Sequence, residues 1–187
     1  MFIRYLVFFI FIMTNAFSAN SSEMRFDVYD IDKGLVQETV RGIIQDQRSF
    51  LWIATEEGLN RFDGFTFTPF RHDPDDPQTL SNDVITDMVI DNEGKIWIAT
   101  FGGGINKFDP KITKAERINS DLLSSDRIQS LFIDSRQQIW VGTYEHGLDL
   151  IIPGEDGYEI VNFKLQSSSP NHPSITAFAE DEQGNIW

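Results

Sequence analysis

A chain of 187 residues with four tryptophans, no cysteine and a formal net charge of −14, from 15 Lys and Arg against 29 Asp and Glu, has the mass for one folded domain. Its acidity argues against a general nucleic-acid binder, which clusters Lys and Arg against phosphates. The lack of cysteine excludes disulfides, thiolate metal sites and cysteine nucleophiles.

Residues 1–18 read as an export signal: Arg4 gives a positive start, Tyr5–Met13 is an unbroken apolar run of nine, and Ala16-Phe17-Ser18 is a small-x-small cleavage site. A membrane span needs about 20 apolar residues, so this run is too short for one. Residues 19–38 read as an entry strand, Arg25–Tyr29, and a linker.

From there the chain repeats itself. Asp46, Asp91, Asp134 and Asp181 each stand six residues before a tryptophan (Trp52, Trp97, Trp140 and Trp187), and the Trp-to-Trp steps are 45, 43 and 47 residues. Three units continue as LWIAT (51–55), IWIAT (96–100) and IWVGT (139–143), followed by GLNRFD (58–63), GINKFD (104–109) and GLDLII (147–152). The eight Asp and Trp residues are therefore the structural anchors of the repeat. Each unit predicts four short antiparallel strands: one ending at the Asp turn, the Trp strand, a third after a Gly turn, and a fourth at Phe65–Phe70, Lys114–Ile118 or Tyr158–Lys164. The Trp strand is apolar on both faces, with Trp52 beside Ala54, Trp97 beside Ala99 and Trp140 beside Gly142. That pattern suits a sheet packed face to face between neighbours.

Such spacing predicts an all-β fold of β-propeller blades: blade 1 at 39–80, blade 2 at 81–125, blade 3 at 126–172 and the start of a fourth at 173–187. A closed ring takes about 4–8 blades, so three and a fraction are expected to be part of a larger ring, with Arg25–Tyr29 as an outer strand of the closing blade.

The pattern at Val40–Leu59, Ile85–Ile105 and Ile128–Leu148 resembles the two-component regulator propeller repeat. The resemblance implies a non-catalytic sensing and scaffolding region on the periplasmic side of the bacterial inner membrane. It also implies a homodimeric parent, anchored by a later transmembrane segment and carrying a histidine kinase or diguanylate cyclase output, with a carbohydrate or other small molecule as ligand. No cofactor, metal or nucleic-acid partner is expected. Blade 3 departs from the pattern, with Asp149 for Asn60 and Asn106 and Ile152 for Asp63 and Asp109, which predicts a weakened end to its third strand. Two other classes compete: a secreted propeller enzyme of the polysaccharide or antibiotic lyase type, and a secreted protein-binding propeller.

Site residues are sparser. Asp91-Asn92-Glu93-Gly94 reads as a turn and not a calcium loop, because Val89 and Thr100 fall where that loop needs acids. Gly102-Gly103-Gly104 lacks the Lys-Ser/Thr of a phosphate cradle. The candidate ligand-binding residues are His72, in the Pro-rich acidic connection 71–77, the Tyr144-Glu145-His146 loop, and Asp87, a carboxylate on the innermost strand where other units have Gly42, Ser130 and Ala177. Loops at the ends of a propeller commonly carry function.

Overall fold

The computed structural model describes residues 25–187 apart from 119, 155–156 and 164–173, so the export signal lies outside the described residues. Three four-stranded antiparallel sheets form: β1 (Val40–Gln45), β2 (Leu51–Thr55), β3 (Gly58–Phe62) and β4 (Phe67–Phe70); β5 (Ile85–Ile90), β6 (Ile96–Thr100), β7 (Gly104–Asp109) and β8 (Lys114–Arg117); β9 (Ile128–Ile133), β10 (Ile139–Thr143), β11 (Leu148–Gly154) and β12 (Gly157–Phe163). In each sheet the strands lie in sequence order, and the first strands of adjacent blades pack beside one another. The fold is a β-propeller, here an open array of three blades.

The seams between blades are the hydrophobic cores. Trp52, Ala54 and Leu59 of blade 1 meet Ile85, Met88, Ile96, Ile98 and Phe108 of blade 2. Trp97, Ala99 and Ile105 of blade 2 then meet Ile128, Leu131, Ile139, Val141 and Ile151 of blade 3. Strand β6 shows the consequence of a period of two between two covered faces: Trp97 and Ala99 look forward, Ile96 and Ile98 look back, and all five residues are buried. Trp140 is half-buried and stacks on Phe163, whereas Trp187 is exposed.

The Asp-x5-Trp spacing has a single physical cause. One oxygen of Asp46 accepts the backbone N–H groups of Arg48 and Phe50, and the other accepts the indole N–H of Trp52 at 3.0 Å. Asp91 does the same for Glu93, Lys95 and Trp97, Asp134 for Arg136, Gln138 and Trp140, and Asp181 for Gln183, Asn185 and Trp187. The carboxylate thus closes the turn and aims the indole in one stroke. The turn needs a left-handed residue three after the Asp. Gly94 and Gly184 take it at φ 79° and 80°, while Ser49 and Gln137 take it without being glycine.

Two further repeat positions resolve in the same way. Thr55, Thr100 and Thr143 are buried and donate their hydroxyls to the carbonyls of Gly58, Gly104 and Gly147. Asn60, Asn106 and Asp149 are buried and pin the connection that leads into their own blade, accepting the N–H of Val36, Ser81 and Ser124 respectively.

Arg25–Tyr29 lies outside the three sheets, a short 3-10 helix, Ile31–Lys33, follows, and Tyr29 packs edge-on against Phe62 and Phe67. Two expectations are corrected. The fourth strand of blade 1 starts at Phe67, because Asp63 accepts from the N–H groups of Phe65 and Thr66 and holds them in a turn. The third strand of blade 3 is not weakened: it runs seven residues against five and six in β3 and β7. Asp149 keeps the pinning role by accepting from both the N–H and the hydroxyl of Ser124 and from Asn162.

Asn60 is the imperfect member of its set. Asn106 donates its amide to the Ser81 hydroxyl at 2.8 Å, but Val36 occupies the matching place beside Asn60, whose Nδ2 is buried without a partner. Supplying an acceptor there adds about 0.5–1.5 kcal/mol net, so Val36→Ser is expected to raise the stability of the protein, measured by denaturant unfolding, and to lose that gain in an Asn60→Ala background.

Candidate functional site

Antiparallel topology sends the β2–β3, β6–β7 and β10–β11 turns, together with the connections between blades, to one end of the array. At that end, beside the first strands, lies a groove of about 300 Å³ lined by Arg41, Glu56, Val84, Thr86, Phe101 and Gln129. Three blades supply it. Arg41 of β1 is ion-paired with Glu56 of the following turn. Phe101, 39% exposed, stands just past β6, where its N–H donates to the Val84 carbonyl. The Arg127 guanidinium lies 5.4 Å from the Phe101 ring centroid, and Tyr144 meets the same ring edge-on at 5.8 Å.

The backbone around this cluster is tied across the blade 2–blade 3 seam. The Asp126 carbonyl accepts from Gly102 and Gly104 across it, and within blade 3 the Arg127 carbonyl accepts from Tyr144. Gly103 must be glycine here: a Cβ would meet the Ser81 hydroxyl at 2.6 Å and Asn82 Cβ at 2.9 Å. The triple glycine is therefore a turn pressed against the incoming connection. What results is a rigid shelf with one exposed aromatic face, a neighbouring ion pair and the Thr86 and Gln129 side chains. Such a surface can stack against a ring and hydrogen-bond polar groups at its rim.

The residues singled out in the sequence fall into three places. Tyr144 joins the aromatic cluster. Glu145 and His146 are exposed on the same turn, where Glu145 takes a left-handed backbone and the His146 ring turns back to the Tyr144 carbonyl. His72 is half-buried within its own connection: its N–H donates to Asp83 and its Nδ1 lies 2.7 Å from the Leu80 carbonyl. A carbonyl only accepts, so Nδ1 carries the proton. Arg117 completes that staple by donating to the carbonyls of Asp76, Thr79 and Leu80. His72 thus shapes the connection, and its bonds do not reach the Tyr144 turn.

Asp87 spans a seam. Its Oδ2 accepts the Leu131 N–H of β9 at 2.8 Å and its Oδ1 accepts the N–H of Met88. Burial pushes its carboxyl above the usual aspartate range, against the lowering effect of those two bonds. A raised folded-state pKa contributes stability that is complete below about pH 3.8 and is lost as pH rises through the folded value. Asp87→Asn is accordingly expected to gain on the wild type as pH rises from 3 to 7. Paired thermal melts across that range test it, and a gap that narrows with pH would contradict it. The equivalent Ser130 donates to the Ile175 carbonyl at 2.7 Å, so this position repeatedly ties one blade to the next.

Phe101, Arg127, Arg41 and Glu56 were not singled out from the sequence. A signal was present in the slot after the repeat threonine, which holds Phe101 and Tyr144 in blades 2 and 3 and Glu56 in blade 1.

Comparison with known proteins agrees with the repeat. The family model described as two component regulator propeller matches residues 79–102 and 122–145, each stretch covering the first hairpin of a blade. The Formosa agariphila protein named Histidine kinase P4 is 40% identical over 63 residues, which are 34% of this chain and 5% of that relative. The extracellular domain of a hybrid two component system from B. thetaiotaomicron superposes with a TM-score of 0.69 at 27% identity, over 90% of this chain and 22% of that one. Virginiamycin B lyase from Staphylococcus aureus superposes at 0.58 with 12% identity, over 79% of this chain and 47% of the lyase, a likeness of fold alone. The chain thus spans a small part of the receptor-type proteins it matches. Among the described residues, no helix is long and apolar enough to cross a membrane.

Proposed function

Because the chain is built from two-component regulator propeller repeats, we propose that it is the periplasmic sensory propeller segment of a bacterial transmembrane signalling receptor, with no chemistry of its own. The observation that carries this reading is that the blades matching the family model also superpose on the extracellular domain of a hybrid two component system. The groove at Arg41, Glu56, Phe101 and Gln129 is its ligand site, suited to a carbohydrate or similar polar small molecule that stacks on Phe101 and hydrogen-bonds the flanking side chains. A ligand held by residues of three blades fixes their relative placement, which gives it a differential affinity for one arrangement of the parent over another. The parent is a homodimer that converts this preference into histidine kinase or diguanylate cyclase output.

Reading the gene beyond Trp187 tests the proposal. The expected continuation is further repeats, one apolar span of about 20 residues and a cytoplasmic kinase or cyclase. A stop codon soon after the last repeat would overturn it in favour of a secreted enzyme or a protein-binding propeller.

A further inference from the structure

The first strand of every blade skips one residue in its pairing with the second. Val40 faces Thr55 and Gly42 faces Ala54; Ile85 faces Thr100 and Asp87 faces Ala99; Ile128 faces Thr143 and Ser130 faces Gly142. Arg41, Thr86 and Gln129 are therefore the extra residues of three equivalent β-bulges, a device that takes a residue out of the ladder and re-aims its side chain. The positions beside the bulge are committed to the fold in blades 2 and 3. Ile85 and Ile128 are fully buried, and Asp87 and Ser130 tie their blades to the next. The bulged residues are committed to the groove instead: all three line it, and each is exposed or half-buried.

The repeat also shows which side chains the slot takes. The position before the bulge is Val40, Ile85, Ile128 or Ile175, always apolar and β-branched, whereas the bulge slot holds Arg41, Thr86, Gln129 and Thr176. Every one of these can hydrogen-bond, and no two successive blades carry the same one. A slot fixed in geometry and varied in identity within one chain suits recognition better than folding.

The lining narrows the ligand. Its charged groups, Arg41 and Glu56, neutralise one another in an ion pair, and Arg127 rests on Phe101 without lining the groove. In a chain of net charge −14, this surface is neutral. The ion pair offers donors and acceptors side by side, which matches adjacent sugar hydroxyls, since each hydroxyl both donates and accepts. Thr86 gives its proton to the Ile128 carbonyl at 2.8 Å and keeps its oxygen as an acceptor. The Gln129 amide makes no hydrogen bond among the described residues, so its donor and its acceptor both face the groove unspent. A charged ligand finds no counter-charge here unless it breaks the Arg41–Glu56 pair.

We infer that Arg41, Thr86 and Gln129 are the specificity-determining residues of the groove, and that they select an uncharged saccharide with adjacent free hydroxyls. This rests on the groove being the ligand site, as proposed above, and adds which slot reads the ligand and what charge the ligand carries.

Calorimetric titration of the full-length protein with trimers of glucose, mannose and galactose, and with the matching trimers of glucuronate, mannuronate and galacturonate, tests it. At least one neutral trimer is expected to bind saturably, and its uronate counterpart at least about tenfold more weakly. Gln129→Ala and Arg41→Thr, the second placing at position 41 the residue type of positions 86 and 176, should each weaken the neutral trimer about three- to tenfold with the melting temperature unchanged. Gln45→Ala, at the opposite end of β1, should leave affinity as it is. Equal or tighter binding of the uronates overturns the charge selection and leaves the groove a saccharide site. Unchanged affinity in both groove variants, or an equal loss in Gln45→Ala, overturns the role of the bulged residues. No saturable binding of any trimer overturns the inference together with the groove's assignment to a saccharide.

Discussion

Trp97→Ala is expected to destabilise the propeller by about 3–5 kcal/mol, the usual cost of truncating a large buried aromatic. The indole is fully buried in the seam between blades 2 and 3. It carries Lys107 and Tyr158 on its rim and donates to Asp91. Truncation opens a cavity, removes the packing surface for the Tyr158 edge and leaves one oxygen of a turn carboxylate without its donor. Denaturant unfolding of the full-length protein checks the figure, and a loss below about 1 kcal/mol would mean that the seam is not sealed by this ring.

Asp91→Ala is expected to cost nearly as much, about 2–4 kcal/mol, although it removes a far smaller side chain. The carboxylate satisfies the N–H groups of Glu93 and Lys95 and the indole of Trp97 at once. Alanine leaves all three donors unmade, with the indole buried among apolar groups where no water replaces the bond. Asp91→Asn keeps one acceptor and should fall between wild type and alanine. If Asp91→Ala and Trp97→Ala are combined, the losses should sum to less than their separate values, because each removes one side of a shared bond. Strict additivity would mean that the two residues act independently. The same clamp has a pH signature in its sister turns. At Asp46, burial pushes the pKa up, but the bonds from Trp52, Phe50 and Arg48 outweigh it and bring it below the usual value. At Asp181, the bonds from Asn185 and Trp187 lower it to about 2. A depressed folded-state pKa gives stability that is present above the unfolded value near 3.8 and is lost as pH falls through the folded one. The clamps should therefore weaken between about pH 4 and pH 2.

The blade count, the strand order and the seam-facing tryptophans were legible because a repeat places the same local problem before the reader several times. Asp and Trp six apart, a threonine before a glycine turn, and an Asn or Asp in the third strand recur whatever their exposed neighbours do. The bonds themselves were not legible. Nothing in the spacing says that Asp91 and Trp97 hold one another, since a turn aspartate and a packed indole explain the same letters separately. Asp149 looked like a defect beside Asn60 and Asn106, and only its bonds to Ser124 and Asn162 show that the acid serves the same connection.

The candidate sites were less legible still, because they depend on where the repeat is broken and on which blade stands alongside. Tyr144 was noticed as a loop residue, but its partner Phe101 comes from another blade, 43 positions earlier in the sequence.

By itself the sequence determined the architecture, an all-β array of propeller blades, because periodic apolar alternation and turn chemistry act within each unit. Only the tertiary structure decided which side chains meet across the seams and which positions stay open. Those outcomes depend on contacts between residues some 40 positions or more apart, and no local pattern encodes them.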